Sequence, residues 1–171
     1  AFSGRHPSGL KDDDVRELLV DSGLWVALRA RPFSHVANPA ERPHSIFVTA
    51  LDTQPLAPSI EVVFGDRAAS FKRGVAVLCR LTDGPVFVCT APETSIPVQT
   101  DSQVRHEQFA GFHPAGTVGL HIHRLDAVDR QKVVWHLGLQ DVIAIGSLFK
   151  TGLLDFSRVI SLAGPPVLRP R

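Results

Sequence analysis

The chain has 171 residues, a formal net charge of +1, and 44% hydrophobic against 20% charged side chains. That length supports one domain with a real core, and the near-neutral, scattered charge gives no electrostatic case for nucleic acid or an anionic membrane as partner. No apolar run approaches the ~20 residues that span a bilayer.

The start lacks the basic-then-apolar pattern of a signal peptide. The sequence contains no methionine, which points to an excised domain or a processed product. Cys79 and Cys89 lie in apolar runs with no CxxC spacing. They read as buried thiols in a reducing compartment, and a cysteine-built zinc site is excluded.

Residues 1–10, rich in Gly, Ser and Pro, read as a linker. Lys11-Asp-Asp-Asp14 opens a helix, where acidic side chains suit the free N–H groups and the dipole. Val15, Leu18, Leu19 and Ser22 recur at helical spacing, and Gly23 closes it. Residues 24–36 (LWVALRARPFSHV) read as a helical turn followed by a loop, with Trp25 and Phe33 packing down. Alternatively the loop faces a ligand, with Arg29 or Arg31 as anion contacts.

Residues 38–44 form a proline-bounded loop. Residues 45–51 (SIFVTAL) are a continuous apolar run that fits a strand buried on both faces. Asp52 and Gln54 follow it directly. Ligands of open α/β sheets bind beyond the carboxyl ends of strands, so these two are candidates by position, with ordinary turn chemistry as the alternative. Residues 61–64 read as a short strand. Asp66 reads as the N-cap of a helix running to about Leu81, with Phe71, Val75, Leu78 and Cys79 on one face. Residues 85–90 (PVFVCT) are a second buried strand, completing a βαβ unit.

A polar loop spans 91–102, and residues 104–109 (VRHEQF) read as a half-exposed edge strand. Residues 132–137 form another strand, and 139–151 (LQDVIAIGSLFKT) a helix closed by Gly152. Residues 158–163 (RVISLA) read as a last strand. Gly164-Pro-Pro166 ends the domain, and 165–171 is a linker. Alternating strands and helices argue for a three-layer, mostly parallel α/β domain over 11–164.

The stretch 111–123 (GFHPAGTVGLHIH) holds three glycines and three of the eight histidines. It invites three readings: a phosphate or flavin loop, a metal site, or the entry to a packed helix. Pro114 suits a first helical turn, and Val118, Ile122 and Leu125 make a stripe with His121 on its edge. On a helix His121 and His123 lie about 200° apart and cannot share an ion. No carboxylate or cysteine stands at a supporting spacing, so no metal ligands are assigned. Gly116-x-x-Gly119 falls short of any phosphate motif, and no GxSxG elbow occurs. No catalytic residue is assigned.

Five blocks carry a family resemblance: SGLWVALRARPFSHV, PHSIFVTALDTQPLA, HPAGTVGLHIHRLD, QDVIAIGSLFKTG and RVISLAGP. Together they resemble the central region of the A subunit of the bacterial Na+-translocating NADH:quinone oxidoreductase, from about Asp14 to Arg169. That protein is in turn similar to the flavoprotein subunit of complex I and its relative in the Rnf complex, which bind FMN and NADH on a Rossmann-like domain. Their flavin loop, roughly SGLRGRGGAGFPT, keeps Ser22-Gly23-Leu24 here but loses its glycines, which a backbone needs to approach a phosphate or ring. Their acidic loop NADEGEP corresponds to residues 49–55, with only Asp52 and the proline retained. Their segment YxxGEET corresponds to residues 112–118, without the acids.

The resemblance therefore implies the Rossmann-like fold, while the substitutions argue against FMN and NADH. No tightly bound cofactor is expected. The implied setting is the cytoplasmic face of the bacterial inner membrane, as a peripheral subunit in contact with other subunits, membrane subunits included. Residues 165–171 would then lead to a C-terminal domain. Correspondence with the old flavin pocket nominates a ubiquinone cleft in which Trp25, Arg29, Arg31 and Phe33 face His113 and Gly116, with Asp52 nearby. The alternatives are an independent FMN- or dinucleotide-binding protein and a purely structural scaffold.

Overall fold

The computed structural model describes residue 2 and residues 7–167. The parts of the two expected linkers at 1, 3–6 and 168–171 lie outside the described residues. A six-stranded sheet carries the fold. Its strands are β1 (Arg29–Arg31), β2 (His35–Val36), β3 (Ile46–Ala50), β4 (Val86–Thr90), β5 (Val104–Gln108) and β6 (Val134–Gly138), in the order β2-β1-β6-β3-β4-β5. The strands β6, β3, β4 and β5 are parallel, and β1 joins β6 and β2 antiparallel. The three-layer, mostly parallel α/β expectation is borne out.

Alternation along the strands divides the core. Ile46, Val48 and Ala50 of β3, Val86 and Val88 of β4, and Trp135 and Leu137 of β6 face one side. There they meet α1 (Asp12–Asp21), α3 (Ala68–Leu78) and α5 (Leu139–Thr151). Phe47, Phe87, Cys89 and Val134 face the other side, where Ile122 of α4 (Val118–Leu125) covers them. The first side is thick. The second carries one helix of eight residues, about 12 Å long at 1.5 Å per residue.

Helices α3 and α5 touch most closely at glycines. A Cβ on Gly74 would overlap the Val142 carbonyl, and one on Gly146 would overlap the Ser70 carbonyl. The helices thus approach backbone to backbone, which brings Phe71, Leu78, Leu148 and Phe149 into the core.

Several expectations are corrected. Residues 29–36 form a hairpin instead of a loop, because Ala30 fills a core position opposite Trp135 and draws the chain into the sheet. Phe33 does not pack down: it stands at the hairpin tip, 86% exposed. Residues 61–64 belong to α2 (Ile60–Phe64), not a strand, because Val63 and Phe64 bury while Glu61 and Val62 face solvent. The long helix starts at Ala68 after Arg67, not Asp66, and ends at Leu78. Residues 158–163 pair with no strand. Gln140 satisfies the segment instead, accepting from the Val159 N–H at 2.8 Å and donating to its carbonyl at 3.0 Å.

Candidate functional site

The chain runs from β3 to β4 to β5 in one direction across the sheet, then returns to place β6 on the opposite side of β3. The reversal between β3 and β6 leaves a crevice at their carboxyl ends, where open α/β sheets take ligands. A cleft of about 520 Å³ lies there, lined among others by Asp52, Gln54, His113, Thr117, Gln140 and Arg158. Apolar walls come from Leu51, Ile60, Val63, Val118 and Leu139.

Two loops build one wall. After β3, the Asp52 carboxylate accepts the Gln54 N–H at 2.9 Å and fixes the turn. The turn entering α4 is tied to it: the Gly116 N–H donates to Thr53 Oγ1 at 2.9 Å, and His113 Nδ1 lies 3.3 Å from the same oxygen. A Cβ on Gly116 would stand 2.6 Å from the Thr53 nitrogen. Glycine here serves loop-to-loop contact, leaving no space for a phosphate between these backbones.

The other wall is the entry to α5, whose N-cap is Gly138. A long helix starting at a switch point is the usual cradle for an anion. Here the position holds the chain's own anion. Asp141 lies in the first turn, accepts a hydrogen bond from the Gly138 backbone, and pairs with Arg158 at 2.9 Å. Burial pushes the Asp141 carboxyl up against the pull of Arg158. A phosphate at this helix start would meet a carboxylate where it needs bare N–H groups. Over its apolar walls the cleft presents neutral hydrogen-bonding groups, the Asp52 carboxylate and the Asp141–Arg158 ion pair.

Of the residues singled out in the sequence, Asp52, Gln54, His113 and Gly116 do come together at this cleft. Trp25, Arg29, Arg31 and Phe33 do not face them. Trp25 is buried, donates Nε1–H to the Ala37 carbonyl at 2.7 Å, and meets Trp135 edge-on at 5.5 Å. Arg29 and Arg31 lie on β1, and Arg31 pairs in register with Val134, the first residue of β6. The tip at Phe33 therefore lies past the amino end of β6, whereas Gly138 at its carboxyl end lines the cleft. Four strand steps, about 13 Å, separate Val134 from Gly138.

The sequence reading missed Thr53, Thr117, Gln140, Asp141 and Arg158. An acid in the first turn of a helix that follows a strand and a glycine was the available signal for Asp141. Nothing local marks Arg158, which the Gln140 clamp on Val159 and the Asp141 ion pair hold at the site.

The remaining chemistry-bearing side chains lie elsewhere. His121 is fully buried, with Nε2 2.7 Å from the Ala115 carbonyl and its ring 4.1 Å from Phe109, while His123 is exposed. The two imidazoles thus occupy opposite environments on α4. Burial pushes the Cys79 thiol up to about 11 and Cys89 to about 12, which removes both as nucleophiles at neutral pH. A second cleft, of about 580 Å³, opens near the amino ends of β4 and β5. Most of its charges pair internally: Arg42 with Asp12 at 3.1 Å and Asp83 at 2.8 Å, Arg80 with Asp12 at 2.8 Å. Among the described residues no helix is long and apolar enough to cross a membrane.

Comparison with known proteins gives this geometry a family. The profile described as "NqrA second alpha/beta domain" matches residues 10–154. The chain belongs to this family. It is 51% identical over 164 residues to the A subunit of a Na(+)-translocating NADH-quinone reductase from Cellvibrio japonicus (strain Ueda107), covering 96% of the chain and 37% of that protein. Proteins of the same name from Serratia proteamaculans (strain 568) and Marinomonas sp. (strain MWYL1) are each 53% identical. The first aligns over 161 residues, 94% of the chain and 36% of that protein; the second over all 171, 38% of that protein. The chain thus spans somewhat over a third of these relatives' length. The family match begins just before α1 and ends just after α5, so it contains the whole sheet and both walls of the cleft except Arg158.

Proposed function

We propose that this chain acts as the central domain of a peripheral subunit in a Na+-translocating NADH:quinone reductase, supporting assembly and offering the switch-point cleft to a quinone head group. On this reading the complex passes electrons from NADH to ubiquinone and exports Na+. The chain sits on the cytoplasmic face of the inner membrane, against other subunits that include membrane-embedded ones. The observation that carries the reading is the match of the whole domain, at about half identity, to relatives that bear that name.

The cleft supports the ligand class. Asp141 at the α5 entry and the close Gly116–Thr53 contact are unfavourable to a phosphate, which supports a reading without FMN or NADH in this domain. Asp52, His113 and Gly116 remain the candidate contacts, joined by Thr117, Gln140 and Arg158. Titration with a short-chain ubiquinone tests the reading. Amide NMR shifts are expected at His113, Thr117 and Gln140, and the absence of any shift at millimolar quinone would overturn the cleft assignment.

A purely structural role is the second reading, favoured by the large apolar side chains left bare at Phe33 and Phe112. Substitution of His113 or Arg158 by alanine in the intact complex separates the two. Normal assembly with lost quinone reduction supports a site, and lost assembly supports a scaffold.

A further inference from the structure

The hairpin of β1 and β2 is built at variance with the rest of the molecule. Phe33, at its tip, has φ +79 and Ser34 φ +57. This left-handed region is sterically disfavoured for a bulky side chain and is ordinarily given to glycine, asparagine or aspartate. Strain of this kind is repaid by packing when it persists in a core. Here the ring is 86% exposed and no packing among the described residues offsets it. Val26 and Val36, on the adjoining 3-10 turn and on β2, are also exposed.

The charge on this edge is one-sided. Ala30 faces the thick side of the core opposite Trp135, so Arg29 and Arg31 face the thin side, beside Val134 and His136. Two guanidinium groups thus share one face two residues apart, about 7 Å along the strand. Among the described residues neither pairs with a carboxylate. Arg31 donates instead to His136 Nε2 at 3.3 Å, and burial with the two arginines pushes His136 down to about 4, so at neutral pH the imidazole is uncharged. No acidic residue occurs between Asp21 and Glu41. Asp126, at the end of α4, already spends its carboxylate on Lys132, Ser45 and His44. Because α4 is short and lies against β3, Arg29 on this face stays exposed and Arg31 half-buried.

We propose that this hairpin is a docking element: Phe33 seats in an apolar pocket of a partner polypeptide, and acidic side chains around that pocket engage Arg29 and Arg31. The inference rests on the assembly part of the reading above and supplies the surface through which assembly is made. Charge complementarity decides the partner's sign. The fixed backbone at Phe33 decides its class, because a ring held in one direction suits a shaped protein pocket. A fluid bilayer accepts a ring in any direction and returns nothing for the strain. An aromatic anchor flanked by arginines is also the composition of an interface hot spot.

The test uses the full-length protein together with the remaining subunits of the complex, purified without it. Wild type, Phe33→Gly, and the double charge reversal R29E/R31E are mixed with those subunits, and the bound fraction is measured against salt. Phe33→Gly is expected to weaken association roughly tenfold or more while the protein's own Tm holds or rises, since glycine accepts the backbone and loss of a merely structural ring would lower it. R29E/R31E is expected to weaken association by a similar factor and to flatten its salt dependence. Association of both variants at wild-type strength overturns the docking face and leaves the assembly reading standing. Failure of the wild-type protein to associate overturns the assembly reading and the docking face with it. A parallel flotation with phosphatidylglycerol–phosphatidylethanolamine vesicles gives the remaining arm: binding that both variants abolish would identify a lipid surface as the occupant and overturn the polypeptide partner.

Discussion

Gly146 on α5 faces the Ser70 carbonyl on α3 with no space between them for a methyl group. Gly74, one turn beyond Ser70, faces the Val142 carbonyl one turn before Gly146 in the same way. Each helix presents a notch to the other's backbone, so the obstacle to a side chain is main chain that cannot rotate aside. Gly146→Ala should therefore cost about 3 kcal/mol, a Tm drop of roughly 10 °C for a domain of this size. Gly119 on α4 is the internal control. A Cβ there meets nothing within 4 Å, and Gly119→Ala should stabilise by up to about 1 kcal/mol by relieving the cost of helical glycine. Thermal melts of the two variants check both signs.

Acid should weaken the fold through His136. Burial first, then Arg31 and Arg29, pushes it from 6.5 down to about 4. The unfolded chain takes this proton near 6.5 and the native state refuses it until about 4, so the unfolded state binds more protons across that window. The stabilisation is present above 6.5 and is lost as pH falls towards 4. Denaturant unfolding at pH 7 and pH 5 should differ by roughly 1–2 kcal/mol from this residue. His136→Gln keeps an acceptor for Arg31 and should flatten that difference. An unchanged pH slope in the variant would show that other groups govern it.

The ion pair at the mouth of α5 should respond asymmetrically to removal of its two halves. Asp141 is pushed up because burial outweighs Arg158 and the Gly138 amide, so its charge is a net burden in the folded state. Asp141→Asn keeps the cap and removes that burden, and Tm at pH 7 should hold or rise. Arg158→Ala leaves the carboxylate alone and should destabilise by about 0.5–1 kcal/mol, the modest figure reflecting a pair that is partly in water. A larger loss from Asp141→Asn than from Arg158→Ala would contradict this account.

Tryptophan emission should be blind to the cleft. Trp25 and Trp135 are buried against each other, and Arg16 lies 5.8 Å and 5.9 Å from their ring centroids. Emission should be blue-shifted, protected from iodide, and unmoved by any cleft ligand. Trp25→Phe loses the hydrogen bond to Ala37 and should cost about 1–2 kcal/mol without altering ligand-induced shifts at His113.

The central sheet was legible because its strands advertise themselves. Residues 46–50 and 86–90 are apolar on both faces, as only a covered parallel strand is, and α5 shows an unbroken apolar face closed by Gly152. The edges were not legible. Residues 29–31 read RAR, and only the single inward Ala30 makes them a strand. Residues 60–64 and 158–163 carry β-forming side chains, yet a tertiary contact decides each: burial of Val63 and Phe64 in one, the Gln140 clamp in the other. The site split along the same line. Asp52 follows from where β3 ends, and His113 and Gly116 from correspondence with the relatives' flavin pocket. Placing Arg31 and Phe33 requires knowing that β1 runs antiparallel to β6, which local sequence does not encode.

The order of the strands has a consequence for how the molecule is made. β6 is the last strand of the sheet in chain order and lies between β1 and β3. Until residues 134–138 are available, the amino-terminal hairpin has no ladder connecting it to β3, β4 and β5. A nascent chain that stops short of Val134 would hold two sheet fragments and an unfilled seam. The sheet is closed from its middle, by a segment synthesised after every other strand, so a lesion in β6 removes the ladder that joins the hairpin to the rest of the sheet.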